Sequence, residues 1–316
     1  MKVYTDISSV KIKKPVVTIG VFDGVHYGHA YIIQKLNEKA IATGGESTVI
    51  TLWPHPRVVL EKSDSSMRFI TTIEEKKELL AARGLQNLIL IPFTKDFSRM
   101  TSKQFVREYL ANKIHASYLV MGHNHRFGND REGDLSKIRA HTQPFGIKVD
   151  QLQPVYQEER AVSSSLIREL ITSGKIEEAN KCLGYTFFIR GTVVHGSKLG
   201  RKLGFATANL GNFEPYKILP ATGVYAVKVK LGNKYYGAML NIGYRPTIEE
   251  RTGNPVIEAH LFNFNDNIYD QQIEISFIGW IREERKFQSL EELTKALHED
   301  KTKALLILEK NEHYPL

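Results

Sequence analysis

Two histidines three residues apart, His26 and His29, stand in the stretch GVFDGVHYGH (Gly20 to His29) together with Asp23 and three glycines. An imidazole N–H suits a phosphate oxygen, and Gly20, Gly24 and Gly28 let the backbone approach a ligand closely. The stretch follows VVTI (Val16 to Ile19), a β-branched run after Pro15. It precedes a segment where Ile32, Ile33, Leu36 and Ala40 recur at helical spacing until Gly44 and Gly45. A strand, a tight turn and a helix start present free N–H groups to an anion. The turn therefore reads as a phosphate site built from Gly20, Phe22, Asp23, Gly24 and Gly28, with His26 and His29 as donors. Glycine-rich turns are common and a histidine at a helix start also bonds backbone, yet so many such groups in one turn favour the phosphate reading. No G-x-x-x-x-G-K-[ST] occurs, and the glycine spacing is wrong for the dinucleotide fingerprint.

The surrounding elements position that turn. Ser47 to Trp53 reads as a second strand, stopped by Pro54 to Pro56. ITTIEEKKELLAARG reads as a helix with a Thr72/Glu75 capping box, ended by Gly84. Leu88 to Phe93 is a third strand, TSKQFVREYLANKI a helix and Ser117 to Gly122 a fourth strand. A helix from Asp134, a strand in GIKVDQLQPVY, and the helical runs SSSLIRELITSG and IEEANKCLG follow. This alternation predicts a parallel sheet covered on both faces, with ligands beyond the carboxyl ends of its strands. Gly20–His29 and Gly122–Asp134 both follow strands.

The character changes near Gly184. VYAVKVKLGNKYYGAMLNIG, PVIEAHLFNF and QQIEISFIGWI are β-rich runs without helices between them, and Gly232-Asn233 marks a hairpin. They predict a small antiparallel β-barrel, closed by a C-terminal helix capped by Ser289. The domains are set at 1–183 (α/β, parallel sheet) and 184–316 (antiparallel barrel).

Composition narrows the class. A chain of 316 residues is comfortable for two domains, and 42% hydrophobic residues supply two cores. The net charge of +8 suits anionic ligands. Cys182 is the only cysteine, which excludes an internal disulfide and a cysteine zinc cluster. The start lacks an apolar h-region and no run reaches the roughly twenty apolar residues of a membrane span. A protein of a reducing compartment is expected.

Several further motifs occur in order: Trp53-Pro54-His55-Pro56, MGHNHRFGNDREGD, VSSSLIRELITSGKIEEANKCLG, GTVVHGSKLGRKLGFATANL, NIGYRPT, IEAHLFNF and IREERKFQSLEEL. With G-x-F-D-G-x-H-x-G-H they span nearly the whole chain. The series resembles the bacterial bifunctional riboflavin kinase/FAD synthetases, whose adenylyltransferase half carries a modified HxGH motif. The resemblance implies a Rossmann-like nucleotidyltransferase domain of the HxGH type and a riboflavin kinase barrel. The first would move AMP from ATP to FMN and release pyrophosphate; the second would phosphorylate riboflavin.

The resemblance also implies roles. His26 and His29 neutralise charge at the transferring phosphate, and no strong base is needed because the nucleophile is already an anion. Ser164, Ser165 and Arg168 hold the leaving phosphates; read alone they are a capped surface helix with one solvated arginine. His55, Asn124, Arg126 and Phe127 contact flavin or nucleotide. In the kinase half Gly191, Gly196, Gly200 and Arg201 cover ATP, Thr207 and Asn209 give oxygen ligands to Mg²⁺, Glu258 takes the proton of the riboflavin 5′-hydroxyl, and Arg282 touches flavin. Read alone, Glu258 is a strand carboxylate and Thr207 and Asn209 are turn residues. The chain departs from the family in Ala206, where proline is usual, and in Asn124 and His125, where Asp-Phe is frequent.

The expected substrates and cofactors are riboflavin, FMN, ATP and Mg²⁺, with FAD as product, in a cytoplasmic monomer or weak oligomer without nucleic-acid or membrane partners. One alternative is a monofunctional FMN adenylyltransferase whose barrel only binds flavin or regulates. Another is a nucleic-acid-binding protein, which should interleave aromatics with Lys/Arg on one sheet face. Tyr235 and Tyr236 are adjacent, hence on opposite faces, and form no such stripe.

Overall fold

The computed structural model describes residues 1–60, 68–123, 127–129, 134–153, 156–157, 160–196, 200, 203–244 and 255–311. They divide into two compact units, Met1–Ser163 and Ser164–Leu316.

In the first unit the strands are β1 (Lys2–Tyr4), β2 (Pro15–Ile19), β3 (Glu46–Trp53), β4 (Asn87–Pro92), β5 (Tyr118–Met121) and β6 (Lys148–Gln151). They form one parallel sheet in the order β1-β4-β3-β2-β5-β6, while the short β7 (Tyr156–Gln157) and β8 (Arg160–Ala161) pair antiparallel with each other. The helices of this unit are α1 (Tyr27–Thr43), α2 (Pro56–Leu60), α3 (Ile73–Ala82), α4 (Ser102–Phe105) and α5 (Leu135–Thr142). Alternation along the strands feeds two cores. Val16, Val49, Leu88 and Val120 pack with α1 and with Leu80 of α3. Val17, Ile19, Ile50, Ile89 and Leu119 pack with Phe105 and Ile138 on the other face. The chain winds outward from β2 through β3 to β4, then returns to place β5 on the other side of β2. Strand order reverses there, so the turn after β2 lies at the switch point where such sheets bind ligands.

The Thr72/Glu75 capping box is present, with Glu75 N donating to Thr72 Oγ1 at 3.2 Å and Thr72 N to Glu75 Oε2 at 2.9 Å. TSKQFVREYLANKI departs from a regular helix: α-helical over Ser102–Phe105, it widens to a π-helix over Val106–Ala111. Phe105, Val106, Leu110 and Ile114 all enter one core.

The second unit begins with α6 (Ser164–Thr172) and α7 (Ile176–Leu183). Its strands are β9 (Phe188–Val194), β10 (Ala208–Gly211), β11 (Gly223–Leu231), β12 (Lys234–Gly243), β13 (Val256–Leu261) and β14 (Gln272–Arg282). They close into a barrel in the order β10-β13-β12-β11-β14-β9, every described pairing antiparallel. The hairpin turns at Gly232-Asn233, between paired Leu231 and Lys234, with Gly232 at φ 57°. A last helix over Leu290–Lys310, capped by Ser289, lays Ala304 and Leu308 against Phe205, Met239 and Phe262.

The compact units part before α6, whereas the sequence changes character at Gly184. The reason is side-chain bonding across that point. Asn180 of α7 is buried, its Nδ2 donating to Phe277 O at 2.9 Å and its Oδ1 accepting from Phe187 N at 2.8 Å. A fragment starting at Gly184 orphans both partners, at about 1–3 kcal/mol each. Residues 164–316 alone are therefore expected to unfold at clearly higher urea than residues 184–316. Equal midpoints would show that α6 and α7 add nothing to the barrel.

Candidate active sites

The turn after β2 is strained and pinned. Phe22 (φ 51°) and Val25 (φ 36°) lie in the left-handed region, an outlier conformation for a β-branched residue. Gly24 shares it at φ 81° and lies against Ile70, where a Cβ would sit 3.1 Å from two side-chain carbons. Asp23 holds the turn from inside: its carboxylate accepts from Ile70 N at 3.1 Å and from Thr71 N at 3.1 Å. Thr71 Oγ1 accepts from Gly24 N at 3.0 Å. Lys76 of α3, buried, donates from Nζ to Val21 O at 2.7 Å. The sequence places Asp23 at the phosphate site; its bonds to Ile70 and Thr71 clamp the turn.

On that base the histidines form one unit. His26 is the N-cap of α1 and makes no side-chain cap bond, so the helix presents its first amides past the imidazole. The rings of His26 and His29 stack with centroids 3.7 Å apart, and Phe22 lies 4.8 Å from His29. Two imidazoles and a helix start thus converge on one spot, an arrangement that receives an anion.

Beside it opens a cavity of about 650 Å³ lined by Gly20, Val21, Leu52, Phe97, Phe105 and Phe127. Its walls are apolar and aromatic, suited to a flat ring system rather than a sugar phosphate. Phe127, one of the expected contacts, packs 5.6 Å from Phe105. His55 instead stacks on Phe69 at 4.9 Å. Asn124 and Arg126 lie outside the described residues. Ser164, Ser165 and Arg168 form the first turns of α6, in the second unit.

Burial pushes Lys76 down to about 8 from an ordinary 10.5, against the pull of Asp23. Its folded value being the lower, the unfolded chain binds more protons between those values, so stability rises with pH across that window, by on the order of 3 kcal/mol. Urea midpoints at pH 7.5 and 10 are expected to show this rise, and Lys76→Met to remove it. A variant with the wild-type slope would show that Lys76 is not its source.

In the barrel, register assembles the second site. Asn209 of β10, Glu258 of β13 and Asn241 of β12 are direct cross-strand partners, and the row continues through Val224 to Arg282. Residues so paired share a face. Glu258, Asn241 and Arg282 line a cavity of about 230 Å³ with Thr207, His260 and Phe287. Arg282 is held in place: its Nε and Nη2 reach the buried Asp300 at 2.9 and 2.7 Å, and its Nη1 donates to Glu283 O at 2.9 Å. Gly196 passes so close to Asn209 that a Cβ there would overlap its amide. Gly191 lies in β9, where a Cβ would sit 2.6 Å from Gly211 O, and Gly200 abuts Phe205 O. Arg201 lies outside the described residues. Asn241 and Asp300 carried no sequence signal for this site, since their partners are 17 and 18 positions away.

Comparison with known proteins decides the family. A family model described as FAD synthetase matches residues 9–166 and one described as riboflavin kinase matches residues 183–308. The Bacillus subtilis bifunctional riboflavin kinase/FMN adenylyltransferase is 35% identical over 297 residues, covering 92% of each chain. The chain belongs to this bifunctional family. The Escherichia coli K12 member is 32% identical over 292 residues, covering 92% of this chain and 91% of its own. A Streptococcus pneumoniae crystal structure described as a macrolide-efflux protein superposes with a TM-score of 0.86 at 28% identity, covering 98% of both chains. No helix among the described residues is long and apolar enough to cross a membrane.

Thr207 and Asn209 are the residues expected from the sequence to hold a divalent cation in the barrel. Asn209 Oδ1 is buried and has no hydrogen-bond partner among the described residues, and Thr207 lines the adjoining cavity. Two neutral oxygens beside a carboxylate suit a hard cation such as Mg²⁺. The residues fit it.

Proposed function

We infer that this chain makes FMN from riboflavin and FAD from FMN, drawing on ATP in both steps. We assign adenylyl transfer to residues 1–183 and phosphorylation to residues 184–316. The observation that carries the reading against an adenylyltransferase with a merely regulatory barrel is the row Asn209–Glu258–Asn241, a carboxylate between two amides, with Glu258 and Asn241 at a cavity wall.

In the barrel the riboflavin 5′-hydroxyl gives its proton to Glu258 while its oxygen attacks the γ-phosphorus of ATP, and ADP leaves. Thr207 and Asn209 would hold Mg²⁺, which supplies charge neutralisation on the phosphates. Gly191, Gly196 and Gly200 let the chain pack tightly on Gly211, Asn209 and Phe205, setting the shape of the segment that would cover ATP, and Arg282, fixed by Asp300, walls the flavin. In the first unit a phosphate oxygen of FMN attacks the α-phosphorus of ATP and pyrophosphate leaves. His26, His29 and the start of α1 take up the charge that builds on the α-phosphate. The aromatic cavity beside them takes the flavin ring through Phe127. We place the enzyme in the cytoplasm with small-molecule substrates only; its charge of +8 serves their phosphates.

Supplied FMN and ATP should yield FAD and pyrophosphate in equal amounts. Release of ADP and orthophosphate without FAD would contradict adenylyl transfer.

A further inference from the structure

The described ladder between β10 and β13 ends at Ala208 and Ala259. One step further Thr207 would face His260, and there a side chain takes over from the backbone. His260 Nδ1 lies 2.8 Å from Ala206 O. A carbonyl only accepts, so Nδ1 carries the proton and donates. A protonated ring would donate from the same atom, so the bond does not depend on the charge of the imidazole. Upstream, Phe205 N donates to Gly200 O at 2.8 Å, and the Phe205 ring meets the His260 ring edge-on at 5.1 Å. His260 lies two residues from Glu258 on one strand, hence on the same face, and both line the cavity with Thr207.

We propose that His260 is a positioning residue of the kinase site, tying Ala206 and so fixing Thr207 beside Glu258. The inference rests on the reading of Thr207 as an oxygen ligand of the cation. Without the bond the segment is held, among the described residues, at Phe205 and then at Ala208, and Thr207 lies between those points. Groups that orient a ligand from behind are worth about ten- to a hundredfold in metal affinity.

Two substitutions separate this role from packing. Asparagine places its amide nitrogen at the position of Nδ1; glutamine places it one bond further, at the position of Nε2. The full-length chain with ADP would be titrated with Mn²⁺ and its affinity read by water-proton relaxation. Deuterium uptake of residues 203–210 would be followed without metal. His260→Gln is expected to weaken Mn²⁺ about ten- to a hundredfold and to speed exchange in that segment, with adenylylation of FMN unchanged. His260→Asn is expected to keep both near wild type. Equal Mn²⁺ affinity in both variants and wild type would overturn the proposal, as would equal loss in both, which would trace the effect to the ring. Thr207→Ala is the control. If it leaves Mn²⁺ affinity intact, the ligand reading falls and the inference with it; if it weakens Mn²⁺ while His260→Gln does not, the inference alone falls.

Discussion

Glu258→Gln is expected to lower conversion of riboflavin to FMN by about 10²–10⁴-fold, the usual worth of a general base. Glutamine keeps the size of the side chain and its place between Asn209 and Asn241, but has essentially no basicity. The loss therefore isolates proton acceptance from packing. Adenylylation of supplied FMN should persist, because its nucleophile is already an anion and Glu258 belongs to the other compact unit. Near-normal FMN production would reduce Glu258 to a strand carboxylate.

The reciprocal result is expected at the turn after β2. His29→Ala should lower FAD formation by on the order of a hundredfold, chiefly in kcat, since donors to a developing charge act mainly in the transition state. The residue is half-buried, stacked on His26 and next to Phe22, so its removal leaves the clamp made by Asp23, Thr71 and Lys76 in place. FMN formation should stay near wild type. Equal loss of both activities would mean either a misfolded chain or one shared site, and would defeat the assignment of His29.

The parts legible in the sequence were those written in local spacing. The strand–turn–helix around His26 and His29, the Thr72/Glu75 capping box and the Gly232-Asn233 hairpin each depend on residues a few positions apart. The unreadable parts are side-chain bonds across long separations. Nothing near Asp23 announces Ile70 and Thr71, and nothing near Arg282 announces Asp300 on a later helix. Strand β10 was missed because ATAN looks like a turn until β9 and β13 pair with it on both sides. Strand β1 is three residues long, below any periodicity signal. The same blindness hid His260, whose partner Ala206 lies 54 residues away.

One measurement tests the bifunctional reading most directly. The purified full-length chain is incubated with riboflavin, ATP and Mg²⁺, and the flavins are separated chromatographically over time. FMN should appear first, then FAD at its expense, with Glu258→Gln stopping the series at riboflavin and His29→Ala stopping it at FMN. Riboflavin left unchanged by the wild-type chain, while supplied FMN is still adenylylated, would contradict the reading and leave the barrel a binding or regulatory domain.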